Sequence, residues 1–305
     1  MVLARRISFQ PVIGHHLRDH VGDNINGPSV IEVPEWLPRP LGRYYMYFAH
    51  HTGDHIRMAF ADHVDGKWTL LDGGVLGLSE TGFVQHTVPA PEDGKPVTPH
   101  IASPDVHIDD EGKQFRMLFH GVNPDGSQTT RLAASDNGLQ FREAGDVKAP
   151  CYLRVVSWQD RLIGVAWGGE LFTSLEWGAP FERGPSLLER PNGPDMLARH
   201  PFIVLRGPEM HVFYSLIGDQ PERIWHARVH LSENWQDWSL GSPKVILSPE
   251  LAWEGANLPV TASSVGAADS LEHALRDPFV LGDLLFYVGG GENGIGIAEI
   301  DWGDD

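Results

Sequence analysis

Acidic, imidazole and guanidinium side chains recur at matching places along this chain. Around four prolines stand Asn26, Asp105, Arg199 with His200, and Arg276 with Asp277, and a fifth matching segment carries Arg154. Loops further along each unit hold His50, His51, Asp54, His55, His120, Asp125, Glu170, Asp219, Glu222 and Glu292. Converged on one point, these segments set carboxylates opposite one another. Hydrolysis of a glycosidic bond needs such a pair, one acid protonated to release the leaving group and one ionised to activate water or attack carbon. Asp277 suits the ionised role, because the adjacent Arg276 cation favours its carboxylate. A salt bridge between units would use the same two residues structurally.

The elements that must position these groups announce themselves by proline. Asn26-Gly27-Pro28-Ser29-Val30-Ile31, Ser103-Pro104-Asp105-Val106-His107-Ile108, Arg199-His200-Pro201-Phe202-Ile203-Val204 and Arg276-Asp277-Pro278-Phe279-Val280-Leu281 each read as a polar residue near a proline followed by an apolar strand. The prolines lie 76, 97 and 77 residues apart, and the wide middle gap holds a further strand start at Tyr152-Leu153-Arg154-Val155-Val156. A proline lacks a ladder donor, is tolerated at the first residue of a strand and pushes its predecessor toward extended backbone. Each start is followed by a second strand (44–49, 115–120, 162–167, 211–216, 284–288) and then a third. Short strands at a recurring period, with no long helical pattern, predict an all-β protein, a five-bladed β-propeller. Its innermost strands start around a central channel, which brings the scattered polar residues to one mouth.

Composition narrows the class. The expectation is one domain over residues 1–305, with the strand-like segment 6–12 adding the outer strand of the last blade and closing the ring. The 34 Gly, 23 Pro and 10 Trp suit many short strands and tight turns. No apolar run reaches membrane-spanning length, the lone Cys151 excludes an internal disulfide, and no continuous apolar stretch follows Arg5-Arg6 as in a secretory signal. Cytoplasmic residence and no membrane partner are expected. A formal net charge of -18 argues against a nucleic-acid partner, since nothing basic would meet the phosphate backbone. Oligomeric state leaves no mark in the sequence.

Sixteen histidines are many for 305 residues, and His100, His200 and His273 fall where imidazoles from several blades could hold calcium or a transition metal. No HExxH-type spacing supports that ligand set. Trp167, ahead of Glu170, and Trp253, in the long connection 248–273, are candidate platforms for a sugar ring.

The five-unit pattern, the Ser103-Pro104-Asp105-Val106 start with the following Gly112-Lys113-Gln114-Phe115-Arg116-Met117-Leu118-Phe119-His120-Gly121, and the fifth-unit Arg276-Asp277-Pro278 resemble glycoside hydrolase family 43 and its five-bladed relatives in families 32, 68, 117 and 130. The resemblance implies a general base Asp in the first blade, a pKa-tuning Asp in the second and a general acid Glu from a later blade. It carries over onto Asp105 for the second role. The first blade opens with Gly27-Pro28 and the third with Leu153-Arg154, so neither supplies its acid. Asp277 then stands in as base or nucleophile, and Glu170, Glu254 or Glu292 as acid. Asn26, His120, Arg154, Trp167, Arg199, His200, Trp253 and Arg276 would bind substrate. The resulting expectation is an exo-acting glycoside hydrolase on small oligosaccharides or glycosides that requires no cofactor. The alternatives are a hydrolase or lyase dependent on a divalent metal in the channel, and a non-catalytic sugar-binding propeller.

Overall fold

The computed structural model describes residues 2–17, 24–51, 53–188, 196–268 and 270–303. Its strands sort into five antiparallel sheets set as the blades of a five-bladed β-propeller. The first blade runs through Asn26–Glu32, Tyr44–Ala49, His55–Ala61 and Thr69–Leu70. The second comprises Ile101–Asp109, Gln114–Val122, Gln128–Ser135 and Arg142–Pro150, and the third Arg154–Trp158, Arg161–Val165, Glu170–Ser174 and Glu182–Ser186. Leu197–Arg206, Glu209–Ile217, Ile224–His230 and Lys244–Leu247 form the fourth, and Leu275–Leu281, Leu284–Gly289 and Gly294–Asp301 the fifth. Among the described residues no helix is long and apolar enough to cross a membrane.

Strand periodicity explains how blades pack. Successive side chains of a strand point to opposite faces, so Tyr45, Tyr47 and Ala49 pack with Phe115 and Phe119 of the second blade while Met46 and Phe48 pack with Phe279 and Phe286 of the fifth. The middle strands are therefore apolar on both faces, and the core is a set of layers between neighbouring blades rather than one central mass. At the axis, polar residues remain.

The N-terminus joins the last blade, over different residues from those the sequence suggests. Leu3–Arg6 pairs with Gly294–Asp301, Leu3 opposite Asp301 and Arg6 opposite Ala298. Beyond Arg6, Ser8 Oγ bonds the Gln10 carbonyl and turns the chain, and Pro11 has no N–H to add to a ladder. Pairing resumes at Ile13 opposite Ile295.

Glu254 fastens this closure. Fully buried, it accepts from Arg6 Nε at 2.8 Å and Nη2 at 2.7 Å, from Tyr287 Oη at 2.8 Å, and from the backbone N–H groups of Glu250 and Leu251. Trp253 lies beside Tyr287 with ring centroids 5.9 Å apart, and a Cβ on Gly289 would stand 2.5 Å from its indole, so that site takes no side chain. Glu254 and Trp253, expected as general acid and sugar platform, are both part of the clasp.

The prolines mark bulges. Pairing of the inner strand slips between Asn26 and Ser29, Ala102 and Asp105, Arg199 and Phe202, and Arg276 and Phe279. The residue before each proline is left-handed rather than extended: Gly27, Ser103, His200 and Asp277 have φ of 59°, 51°, 46° and 47°. One extra residue in a strand forces such a local kink, and that kink overrides the ordinary preference before proline. The residue after each proline then points between blades. Ser29 Oγ accepts the Val106 N–H at 2.9 Å, and Asp105 Oδ2 accepts the Val155 N–H at 3.0 Å, the same tie one blade further on. Asp105 also meets His107 Nε2 at 2.9 Å and Arg154 Nη1 at 3.4 Å. Burial opposes its ionisation, but His107, Arg154 and the Val155 N–H together hold it below the ordinary aspartate range. Arg154 further donates to the carbonyls of Pro104 and Pro28. Both residues sequence reasoning placed in the site are thus staples between the first three blades.

Two stability measurements follow. Glu254→Ala leaves the Tyr287 hydroxyl without its acceptor and Arg6 with only Glu250 and the Ser248 carbonyl, and should cost about 3 kcal/mol in chemical denaturation; a loss below about 1 kcal/mol would remove Glu254 as the clasp. Asp105→Asn keeps an acceptor for Val155 but removes the charge facing Arg154, and should cost about 1 to 2 kcal/mol. An unchanged or raised unfolding midpoint would return Asp105 to the catalytic candidates.

Candidate active site

Five left-handed residues, one per blade, ring the channel: Gly27, Ser103, Tyr152, His200 and Asp277. Tyr152, with φ of 60°, occupies the corresponding place in the third blade, where Leu153 replaces proline. Neighbours touch around the ring. A Cβ on Gly27 would stand 3.0 Å from Ser103 Cα, the Tyr152 and His200 rings are 4.0 Å apart, His200 Nδ1 meets Asp277 Oδ1, and Asp277 Oδ2 accepts the Gly27 N–H at 3.0 Å.

Asp277 is buried, and burial alone would raise its pKa; His200, the Gly27 N–H and the charge of His51 instead hold it at about 2. Burial acts the other way on His200 and keeps its pKa below the ordinary imidazole value despite the carboxylate. An ionised Asp277 facing Nδ1 of a neutral His200 favours the tautomer with its proton on Nδ1, which leaves Nε2 with its lone pair.

A second pair has the opposite bias. His51 Nδ1 lies 3.0 Å from Glu292. Burial would lower the His51 pKa, but the charge and hydrogen bond of Glu292, helped by Asp277, raise it. Glu292 is held below the ordinary glutamate range, against burial, by His51 and Arg276. Asn24 Nδ2 also donates to Glu292, and Asn26 Nδ2 donates to Asn24 Oδ1 at 2.8 Å. His51 thus favours imidazolium where His200 favours imidazole.

Arginines balance the buried acids. Glu222, wholly buried, receives Ser215 Oγ at 2.7 Å and Arg276 Nε at 2.7 Å, and faces Arg199 Nε at 3.2 Å. Arg276 Nη1 lies 3.7 Å from Glu292, and its other amino group reaches Glu272. Arg199 also donates to the Ser264 and Gly266 carbonyls and so latches the segment 263–268 beside the mouth.

An aromatic series, His51, His100, His120, Tyr152 and His200, joins the two pairs, with successive ring centroids 6.0, 5.6, 4.8 and 4.0 Å apart. Burial drives the His100 pKa down to about 4 and that of His120 well below the ordinary imidazole value, so both are neutral. Neither ring nitrogen of His120 has a hydrogen-bond partner among the described residues. Burial first, then Asp277 and Glu292, push the Tyr152 phenol well up, so it stays a proton donor.

Two cavities open here and share His51. The larger, about 430 Å³, has His51, Tyr152, Arg199 and His200 at its inner end and Trp167 on its wall. The smaller, about 310 Å³, is bounded by Asn24, His50, Ser270, Glu292 and Asn293. A further cleft of about 390 Å³ between Pro11 and Trp68 lacks any such acid–imidazole pair.

The mouth accordingly brings together Asn26, His100, His120, Trp167, Arg199, His200, Arg276, Asp277 and Glu292 of the expected set. It leaves out Glu170, whose carboxylate is taken by Arg183 on the outer strand, besides Asp105, Arg154, Trp253 and Glu254. His273 turns Nδ1 to the Leu258 carbonyl at 3.1 Å, while Tyr152 and His120 stand between His100 and His200, so those three histidines do not form a ligand set. Among the described residues no group of three or more His, Cys, Asp or Glu side chains is placed to hold a metal ion. Tyr152 escaped sequence reasoning because its unit has no proline to mark the ring position; Asn24 carried no signal.

No family model matches the sequence. The chain is 31% identical over 307 residues to the uncharacterized protein R118 of Acanthamoeba polyphaga mimivirus, covering 91% of this chain and 83% of that protein. Solved structures with the same fold include a thermostable family-43 glycoside hydrolase (15% identity, TM-score 0.58, 92% of this chain and 91% of that chain). A GH43_1 enzyme from Xanthomonas citri complexed with xylotriose aligns at 13% identity and TM-score 0.59, over 97% of this chain and 90% of its own. An N-acetylgalactosamine deacetylase from F. plautii, in complex with blood group B trisaccharide, aligns at 12% identity and TM-score 0.59, over 98% and 95%. This chain therefore belongs to the family of the mimivirus protein R118, built on the five-bladed propeller that family-43 glycoside hydrolases also use.

Proposed function

We propose that this protein is a carbohydrate-active hydrolase that cleaves a terminal glycosidic bond of a small glycoside or oligosaccharide, with His200 and His51 as its proton-transfer groups. One observation carries the reading: two imidazole–carboxylate pairs of opposite protonation bias face one cavity. In each pair the carboxylate lies behind the ring. Asp277 is engaged by His200 and Gly27, and Glu292 by His51 and Asn24, so in the larger cavity the imidazoles, not the acids, meet a substrate, while Glu292 borders the smaller one.

A water beside His200 Nε2 gives up its proton as it attacks the anomeric carbon, and Asp277 stabilises the imidazolium that forms. His51, whose pKa Glu292 raises, passes a proton to the departing oxygen in its imidazolium form. The negative charge of Asp277 and Glu292 favours an oxocarbenium-like transition state, and Trp167 offers a face for the ring. A cavity of about 430 Å³ suits a small substrate such as a terminal sugar with its leaving group, which is the support for exo action.

A second reading follows from the same occlusion of the acids. Hydrolysis of an acyl group on a sugar needs a neutral imidazole base, a proton donor for the leaving group and a donor to the oxyanion, for which the neutral Tyr152 hydroxyl is at hand. The deacetylase from F. plautii on the same fold makes this the reaction to test alongside glycosidic cleavage.

Aryl glycosides and acetylated sugars screened in parallel distinguish the two by product. With the substrate found, His200→Ala and Asp277→Asn should each lower kcat/KM by at least about 10²-fold in folded protein. The pH profile has a definite sign. Activity needs His200 deprotonated, so the acid limb lies below about pH 6.5; it needs His51 protonated, so the alkaline limb lies above that value. Glu292→Gln removes the group that raises His51 and should bring the alkaline limb down. An unmoved limb would sink the assignment of His51.

A further inference from the structure

The cavity above His51 and His200 is chemically uneven from its inner end to its rim. The inner end is buried and polar, with His51, Arg199 and His200 around it. The rest of the wall is largely apolar: Pro91, Val97, Trp167, Ile217 and Val265 line the same cavity, with Glu92, Ser127 and Gln128 as its polar members. Val265 is 70% exposed, an apolar side chain standing open to water over a polar site. It sits there because Arg199 donates to the carbonyls of Ser264 and Gly266 on either side of it, and because Ser263 ties the same segment to the fourth blade through Gly218 N and the Leu216 carbonyl. This segment is fixed to the catalytic mouth by a buried guanidinium. The residues that follow it, Ala267, Ala268, Ser270 and Leu271, wall the second and more polar cavity.

Beside Trp167, Ile217 and Val265 a hydroxyl-rich ligand is poorly matched, since a sugar hydroxyl placed against valine or isoleucine loses water without gaining a partner, and Ser127 and Gln128 serve only the part of the wall they stand on. An apolar ring there would gain by burial against Trp167 and Val265. Resting on the functional reading above, with the sugar at the inner end, we infer that the rim formed by Trp167, Ile217 and Val265 is a binding site for an apolar, aromatic leaving group. The substrate class is thereby aryl glycosides rather than oligosaccharides. The bond to be cleaved then lies between the polar inner end, where His200 reaches the water, and the rim, where His51 can protonate the departing phenolic oxygen. The water oxygen bonds to the anomeric carbon and keeps one proton while His200 takes the other, the bond between the anomeric carbon and the aryl oxygen breaks, and the phenol leaves with the proton from His51.

Thioglycosides resist hydrolysis and separate binding from turnover. Phenyl and methyl 1-thioglycosides of common pentoses and hexoses, titrated into the full chain by calorimetry, should show one sugar for which the phenyl compound binds at least about tenfold tighter than the methyl compound. Val265→Asp, at a solvent-exposed position, should lower that phenyl-to-methyl ratio at least threefold. A ratio near one in the unmodified protein overturns the aryl site while leaving the sugar-binding reading standing, because the methyl compound still binds. Absence of binding by every thioglycoside overturns both, and a ratio untouched by Val265→Asp overturns the placement of the aryl group at this rim.

Discussion

Everything at the mouth of this propeller depends on a backbone constraint, the left-handed residue at the head of each inner strand. A non-glycine side chain in that conformation costs of order 1 kcal/mol or more, and here Ser103, Tyr152, His200 and Asp277 all adopt it. What holds Ser103, His200 and Asp277 is the bulge: pairing on both sides of it fixes the strand, and the extra residue has nowhere to go but inward, whereas Tyr152 stands just ahead of a strand that pairs without a shift. Side chains that an ordinary strand would send between blades are aimed at the axis instead. The residue just after the proline returns to the space between blades, which is why Ser29 and Asp105 tie neighbouring sheets while His200 and Asp277 face each other.

That geometry explains the electrostatics. Bringing Asp277, Glu292 and Glu222 into a buried channel is costly unless each is paired, and each is. Glu222 joins Arg199 of the fourth blade to Arg276 of the fifth, Glu292 is shared by Arg276 and His51, and Asp277 rests on His200 and a backbone N–H. The chain's net charge of -18 is thus irrelevant to the mouth, where cations and anions are matched locally. The same matching polarises the two imidazoles in opposite directions. On His51 the charge and hydrogen bond of Glu292, with the charge of Asp277, outweigh burial and Arg199 and raise the pKa; on His200 burial, with Arg199, prevails over Asp277 and Glu222.

The fold was legible because its markers are local. Proline followed by an apolar strand needs no distant partner to be recognised, and the five blades lie where those markers put them. The site was legible only in part, for two physical reasons. A proline says where a strand starts but not which neighbour faces inward, so Asp105, two positions past the left-handed slot at Ser103, looked equivalent to Asp277, which occupies its own slot. Pairings across the ring leave no local trace: His51 and Glu292 are 241 residues apart, and only the closed ring makes them neighbours. Glu254 and Trp253 misled for the opposite reason. A long connection bearing an acid and an indole suits a binding loop, but Arg6 and Tyr287 claim the acid, and Gly289 leaves room for the indole.

Gly27 shows how the altered ring remains coherent. In the family-43 pattern an aspartate opens the first blade, whereas here the smallest residue stands at that place. A Cβ there would stand 3.0 Å from Ser103 Cα, so an acid in this slot would have to push the second blade's ring residue aside. The charge arrives from the other side. Asp277, on the fifth blade, places Oδ2 on the Gly27 N–H, so a carboxylate still lies against the head of the first blade, supplied across the ring closure rather than from within the blade. Its other oxygen meets His200 on the fourth blade, and the imidazole becomes the group that faces the cavity. Moving one acid by one blade thus turns a carboxylate that could touch substrate into one that acts through a histidine, and the chemistry of the mouth changes while its frame does not.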